Sequence, residues 1–134
     1  MKLLIDANIL LDVLQNREGF VKDSAMIWKL CETEKAEGYV SVLTFANLVY
    51  IMRKEMNPIK IREVLNQLSL IFEVTELTAA DLTRAAELQW SDFEDAVQSV
   101  TAQKVHADYI VTRNVRDFTK SVIAFTPSEL LARI

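Results

Sequence analysis

Near its N-terminus the sequence runs Lys2-Leu3-Leu4-Ile5-Asp6, a short apolar segment that is followed at once by a carboxylate. A fully apolar run of this length is typical of a strand that is buried on both faces of a parallel sheet. In an open parallel sheet, ligand sites lie beyond the carboxyl ends of the strands. Asp6 is therefore expected at the functional edge of the sheet.

Apolar segments of similar length alternate with helical patterns along the rest of the chain. Strands are predicted at residues 2–5, 39–42, 71–74, 109–111 and 122–125, and helices at 8–14, 20–35, 44–53, 57–70 and 92–106, with two more beginning at 78 and 126. Helix starts are assigned to caps at Thr44, Asn57, Thr78, Ser91 and Thr126, and Gly38 is expected to end the second helix. The alternation predicts a three-layer α/β/α fold with a short, mostly parallel central sheet of four or five strands, in one domain over residues 1–134.

Composition agrees with a compact chain that is rich in regular structure. Of 134 residues, 51% are hydrophobic, and there are only two glycines and two prolines. No apolar run approaches the ~20 residues that span a bilayer, and the N-terminal segment does not resemble the apolar region of a signal peptide. We therefore expect a cytoplasmic protein with no membrane partner, in which the single cysteine, Cys31, is a buried thiol.

The net charge is −4, and the acidic excess lies in the second half of the chain. Residues 1–67 carry nine basic and nine acidic side chains, whereas residues 68–134 carry six and ten. Proteins that bind duplex nucleic acid tightly are normally basic, because phosphate neutralisation supplies much of their affinity. The balance disfavours a high-affinity duplex binder, but it is compatible with an enzyme whose acids are concentrated in a metal pocket.

Three further acids accompany apolar segments. Asp92 and Asp95 open the helix that leads into the predicted fourth strand, and Asp117 follows that strand shortly afterwards. If the first and fourth strands are neighbours, Asp6, Asp95 and Asp117 converge, although the sequence does not prove that they are. Carboxylates that converge in this way need a divalent cation at neutral pH, and such sites in small domains usually act on phosphates.

Each acid also has a structural interpretation. Asp6 can begin a turn, Asp117 can cap one, and Asp92 favours the helix dipole by roughly 0.3–1 kcal/mol. Asp12 lies in a leucine-rich helical turn and is expected to orient a neighbour rather than to bind metal. Asp95 is the hardest to explain structurally, because the residues that follow it face the core.

Other chemistries find little support. The only histidine, His106, lies at a predicted helix end without a nucleophile motif, and two glycines exclude a glycine-rich phosphate loop. Trp28 and Trp90 are interpreted as core or dimer-interface residues and not as platforms for base stacking.

Three segments together resemble the motifs of PIN-domain ribonucleases, a family that includes VapC-like toxins. They are Asp6-Ala-Asn8-Ile-Leu-Leu-Asp12, Asp95-Ala-Val-Gln-Ser-Val-Thr-Ala102 and Val111-Thr-Arg-Asn-Val-Arg-Asp117-Phe118. No single motif is highly specific, but all three occur in the family's order and spacing over essentially the whole chain. The resemblance implies a PIN-like fold with Asp6, Asp95 and Asp117 as catalytic and metal-binding acids, and with Asp92 as an additional metal ligand.

One segment departs from the family pattern. The stretch from Ser41 through Thr44 to Asn47 resembles the one that usually carries a second acid, a glutamate, where this chain has Asn47. An amide oxygen can ligate a cation, but it contributes no charge, so metal affinity is expected to fall or the site to rely on the other acids. Asn47 is kept as a catalytic candidate, and its alternative is an ordinary residue in the first turn of a helix. Asn114 also replaces an acid found in many relatives.

The resemblance implies an endoribonuclease that hydrolyses RNA phosphodiester bonds with Mg²⁺ or Mn²⁺, as the toxin of a type II toxin–antitoxin pair. It also implies a homodimer that joins two clefts into one RNA-binding groove, and a small antitoxin protein that places an arginine in the acidic cleft. The candidate substrate-binding residues are Arg17, Thr112, Arg113, Asn114 and Arg116. The candidate supporting residues are Asn8, Asp12, Ser41 and Thr44. For the arginines in these sets, the alternative to a functional role is an ordinary solvated side chain. For Ser41, Thr44 and Thr112, it is a helix cap.

Two other functions fit parts of the sequence. A catalytically weakened PIN domain that binds RNA or protein is favoured by Asn47. A phosphoacceptor signalling domain would also gather acids at strand ends, but it predicts an acidic pair after the first strand, where this chain has Asp6 alone.

Overall fold

The computed structural model describes residues 1–119 and 121–134. Its five strands are β1 (Lys2–Ile5), β2 (Glu37–Ser41), β3 (Glu73–Thr75), β4 (Tyr109–Val111) and β5 (Ala124–Phe125). Its α-helices are α1 (Ala7–Leu14), α2 (Val21–Glu32), α3 (Val42–Met52), α4 (Pro58–Ile71), α5 (Ala79–Glu87), α6 (Phe93–Lys104) and α7 (Pro127–Leu131), and a 3-10 helix covers Val115–Phe118.

The strands form one parallel sheet in the order β3-β2-β1-β4-β5. Strand β1 lies in the middle, where Ile5 pairs with Val111 of β4 and Leu3 pairs with Gly38 of β2. The first and fourth strands are therefore neighbours, which is the condition for their acids to converge. The predicted three-layer fold is confirmed, with five strands that are all parallel.

The two faces of β1 contribute to different parts of the core. Leu3 and Ile5 pack in a cluster with buried residues of α1, α2, α3, α4 and α7. Leu4 points to the other face, where it packs with residues of α6 and the 3-10 helix. All three side chains are fully buried, as expected for a strand that is covered on both sides.

Two predicted helix starts were wrong. Helix α3 begins at Val42, because the Ser41 hydroxyl, and not that of Thr44, caps it by accepting from the Thr44 backbone N–H at 3.1 Å. Helix α6 is capped by the Asp92 carboxylate, which accepts from the Asp95 N–H at 3.2 Å, so Ser91 is not its cap. In both cases the capping oxygen belongs to the residue three positions before the backbone N–H that donates to it. The predicted caps of α4, α5 and α7 are confirmed.

Gly38 does not end the second helix, which stops at Glu32. Gly38 instead lies within β2, against the buried side chains of Phe72 and Cys31. The prediction that Cys31 is buried is confirmed, and burial raises the pKa of its thiol to about 12. No helix in the described ranges has the length and apolarity that crossing a membrane requires.

Replacing Gly38 with alanine is expected to lower the free energy of unfolding by about 1–3 kcal/mol. The added Cβ would lie 2.6 Å from Phe72 Cδ1 and 2.8 Å from Cys31 Sγ, both closer than real carbon contacts allow. Urea unfolding would measure the loss. Cys31→Ala in the Gly38→Ala background should recover part of it, and an unchanged midpoint in Gly38→Ala would contradict the close packing.

Candidate active site

Asp6 lies at the carboxyl end of the central strand and caps α1. Its backbone N–H donates to the Val111 carbonyl at 3.0 Å, so the hydrogen bonding between β1 and β4 continues up to the acid. One carboxylate oxygen accepts from the Ala7 N–H at 2.8 Å, and the other accepts from the Thr112 hydroxyl at 2.9 Å. Asp6 follows β1 and Thr112 follows β4, so the hydrogen bond between their side chains joins the ends of these two strands.

Two effects act on the protonation of Asp6. Burial raises the pKa of its carboxyl, because charge is disfavoured away from water. Hydrogen bonds from Thr112 and Ala7, the Gln98 amide and the positive charge of Arg113 oppose this rise. The half-buried carboxylate thus has donors and a positive charge near it, which favour its ionised form.

The pKa of Asp95 shows most clearly that the acids lie near one another. It is half-buried in the first turn of α6. Burial first, and then the negative charges of Asp92, Asp117 and Asp6, raise its pKa to about 7. Asp6 and Asp117, from distant parts of the chain, therefore lie near enough to Asp95 to raise its pKa, as the sequence predicted if β1 and β4 were neighbours.

The chemistry of these side chains fits a hard divalent cation. All four are oxygen donors, and no thiol or imidazole is among them, a set that suits Mg²⁺ or Mn²⁺. Their mutual repulsion would be relieved by a cation, in whose absence Asp95 holds a proton up to about pH 7. Among the described residues no trio of acidic, histidine or cysteine side chains is already arranged to hold a metal ion. Joint ligation by Asp6, Asp95, Asp117 and Asp92 therefore stays a prediction.

A buried polar network connects α3 with Asp6. Ser41 Oγ donates to Thr44 Oγ1 at 3.2 Å, and Gln98 Nε2 donates to the same oxygen at 3.3 Å. The Gln98 amide also lowers the pKa of Asp6, and its own Oε1 is buried without a partner among the described residues. Thr44 thus links the Ser41 hydroxyl to Gln98, a residue that was not predicted from the sequence. Its signal was an amide within the otherwise small or apolar run from Ala96 to Ala102.

Asn47 lies one turn beyond Thr44 on α3 and is half-buried. Its side chain makes no hydrogen bond with any described residue, so nothing in that part of the fold occupies its amide. The structure does not bring Asn47 into hydrogen-bonding contact with the acids, and its catalytic role stays a prediction.

A second buried acid, Asp12, organises the arginines next to the site. Asp12 is fully buried on α1 and accepts from Ser24 Oγ at 2.8 Å. Its other oxygen faces Arg113 Nη2 at 3.3 Å and Arg17 Nη1 at 3.7 Å. This agrees with the expectation that Asp12 orients neighbours.

Of the five predicted substrate-binding residues, Thr112 is fully buried and bonded to Asp6, and the other four fall into two groups. Arg113 pairs with Asp12 and stacks on Phe20, with 4.2 Å from Cζ to the ring centroid. Arg17 Nη1 also donates to Asn8 Oδ1 at 3.2 Å. Both arginines are therefore engaged within the protein. The other group is exposed and contains Asn114 and Arg116, the latter without an ion pair to any described residue.

The fold is shared with solved toxin–antitoxin structures at low sequence identity. VapBC-1 from nontypeable Haemophilus influenzae matches with a TM-score of 0.72 and 15% identity over 96% of this chain and 99% of that one. A toxin–antitoxin complex from Klebsiella pneumoniae matches with a TM-score of 0.69 and 19% identity over 92% and 96%. VapC20 from Mycobacterium tuberculosis, a toxin that cleaves the sarcin–ricin loop, matches with a TM-score of 0.66 and 13% identity over 81% and 86%. At these identities the likeness shows the fold.

No curated protein matches the chain. A sequence model of the PIN domain matches residues 2–116, a range that includes Asp6, Asn47, Asp92 and Asp95 and ends one residue before Asp117. The resemblance that the three motifs indicated is thereby confirmed, and the chain belongs to the PIN domain family.

Proposed function

We propose that this protein is a metal-dependent endoribonuclease that hydrolyses RNA phosphodiester bonds. The observation that carries the proposal is the pairing of β1 with β4, which places Asp6 beside Thr112 at the carboxyl ends of these strands. The negative charges of Asp92, Asp117 and Asp6, which raise the pKa of Asp95, agree with a cluster of acids there. Membership of the PIN family supports it.

Each residue has a physical role in this proposal. Asp6, Asp95 and Asp117, with Asp92 at the rim, would hold Mg²⁺ or Mn²⁺. When bound, the ion supplies positive charge that offsets the charge developing on the scissile phosphate and makes a water easier to deprotonate. Thr112 would fix the orientation of the Asp6 carboxylate, and the Gln98 amide on α6 would favour its charged form. Arg116 is exposed and would attract the RNA backbone.

The partners follow from the family. Two of the solved structures are toxin–antitoxin complexes, and one is a toxin that cleaves the sarcin–ricin loop. We propose that this chain is likewise a toxin that works in the cytoplasm as a homodimer and is held inactive by a small antitoxin protein.

The purified protein is expected to cleave single-stranded or structured RNA when Mg²⁺ or Mn²⁺ is present, and to stop when EDTA is added. Gel electrophoresis of a labelled RNA would measure this. The dependence follows from the cluster of acids, which repels RNA until a cation neutralises it. Cleavage that continues in EDTA would indicate a contaminating nuclease and remove the proposal.

A catalytically weakened binding module is the alternative, and Asn47 favours it. Asn47→Glu adds a carboxylate and is expected to tighten Mn²⁺ binding roughly tenfold, as one more nearby charge would. Calorimetry would measure the change, with the exposed Asn66→Glu on α4 as a matched control that leaves affinity unaltered. Equal affinities in both variants would mean that Asn47 does not face the metal pocket.

A further inference from the structure

A cleft of about 610 Å³ opens beside the acids, between the α5–α6 connection and the 3-10 helix. Three of its lining residues are the acids Asp92, Asp95 and Asp117. The rest of the lining, here called the Trp90 pocket, consists of Leu88, Gln89, Trp90, Ser91, Arg116 and Thr119. The cleft thus combines carboxylates with aromatic and uncharged polar side chains, and its volume is within the range of ligand pockets.

Trp90 forms a rigid wall of this pocket. Its indole meets the buried ring of Phe118 edge to face, with centroids 6.1 Å apart and planes at 75°. It also packs against the apolar residues of α6, yet it remains half-buried and borders the cleft. The sequence analysis assigned Trp90 to the core or a dimer interface and not to base stacking; in the structure the side chain is partly exposed and lines the cleft.

Polar groups surround the indole. Gln89, Ser91 and Thr119 are exposed, and their side chains make no hydrogen bond with the described residues. Gln89 has a φ of 56°, a left-handed conformation that is uncommon for glutamine and turns the connection at the rim of the pocket. Donors and acceptors beside a fixed aromatic surface match the edge and the face of a nucleobase.

We propose that the Trp90 pocket holds one base of the RNA, next to the phosphate that would lie against Asp92, Asp95 and Asp117 in the same cleft. This inference rests on the proposed function, since it places part of the same substrate. A base is favoured because Gln89, Ser91 and Thr119, whose side chains make no hydrogen bond with the described residues, line the same cleft as the Trp90 indole and offer the donors and acceptors that the edge of a base needs. The indole would stack on the base, while Gln89 reads its edge.

Tryptophan fluorescence can test the pocket without any cleavage. The chain has two tryptophans, so Trp28→Phe leaves Trp90 as the only reporter, and Trp90→Phe leaves Trp28, which packs on Phe72 in another part of the core. The probes are the four nucleoside 5′-monophosphates and ribose 5-phosphate, each with Mg²⁺. At least one nucleotide should change Trp90 fluorescence saturably, at roughly five- to hundredfold lower concentration than ribose 5-phosphate, as expected for one stacked base.

The matched controls separate base binding from other effects. Trp28 should not respond in Trp90→Phe, and Gln89→Ala should weaken nucleotide binding, whereas Gln103→Ala at the far end of α6 should not. An equal response to ribose 5-phosphate, or no saturable response to any nucleotide, would overturn the inference and leave the pocket to a protein partner. Nucleotide binding by a protein that does not cleave RNA would support the base-binding pocket and contradict the proposed nuclease function. Cleavage without nucleotide binding would support the nuclease function and contradict the pocket.

Discussion

Asp95→Asn is expected to reduce RNA cleavage by about 100- to 1,000-fold, the loss typical of removing one electrostatic group from an active site. The amide would keep the size of the side chain and lose its charge, so the divalent cation would be held less tightly where the phosphate reacts. Initial rates of cleavage at saturating Mg²⁺ and Mn²⁺ would measure the effect. Glu94→Gln is the matched control, because Glu94 is an exposed neighbour in the same helical turn.

The same substitution should stabilise the metal-free protein, which separates a functional role from damage to the fold. The pKa of Asp95 is raised to about 7 in the folded state, from an ordinary value of 3.8. The folded state therefore binds more protons, and wild-type stability falls as the pH rises from about 4 to about 7. Asp95→Asn removes this loss, so its Tm in EDTA should exceed that of the wild type most at pH 8 and least near pH 4. A lower Tm at pH 8 would show that Asp95 does not lie among like charges.

Local signals predicted most of the fold. The strand before Asp6 was recognisable because it is apolar throughout, and Asn57-Pro58 and Thr126-Pro127 marked helix starts because a capping oxygen precedes a first-turn proline. The caps of α3 and α6 were misassigned to Thr44 and Ser91, because neighbouring residues can serve as caps equally well. The path of the backbone decides at which residue the helix begins, and therefore which side-chain oxygen caps it.

Long-range pairing decided the parts of the site that the sequence left open. The contact between Thr112 and Asp6 joins residues 106 positions apart, and it exists because β4 lies beside β1. Gln98 was missed for a similar reason: an amide in a helix acquires its role only when α3 and β1 are packed against it. Residue types indicated the metal chemistry, whereas the order of the strands determined which side chains meet.

Asp12→Ala is expected to lower the free energy of unfolding by about 3–5 kcal/mol, the cost of removing one partner from a buried ion pair. Asp12 is fully buried, and its loss would leave the Arg113 guanidinium near the base of the site without its counter-charge. It would also remove the acceptor of the Ser24 hydroxyl. Urea unfolding at pH 7 would measure the change. Asp23→Ala on the neighbouring helix α2 serves as a control, with an expected cost below about 1 kcal/mol, because only the dipole of the helix favours that acid.

A double-mutant cycle distinguishes an ion pair from simple loss of packing. If Asp12 and Arg113 stabilise the fold through one another, Asp12→Ala combined with Arg113→Met should cost less than the sum of the single changes, by about 0.5–3 kcal/mol. Additive costs would contradict the pairing. Arg113 also opposes the rise in the pKa of Asp6, so its displacement in Asp12→Ala would change the charge that acts on Asp6. If the proposed function is correct, cleavage by Asp12→Ala should therefore fall even at temperatures where the variant remains folded.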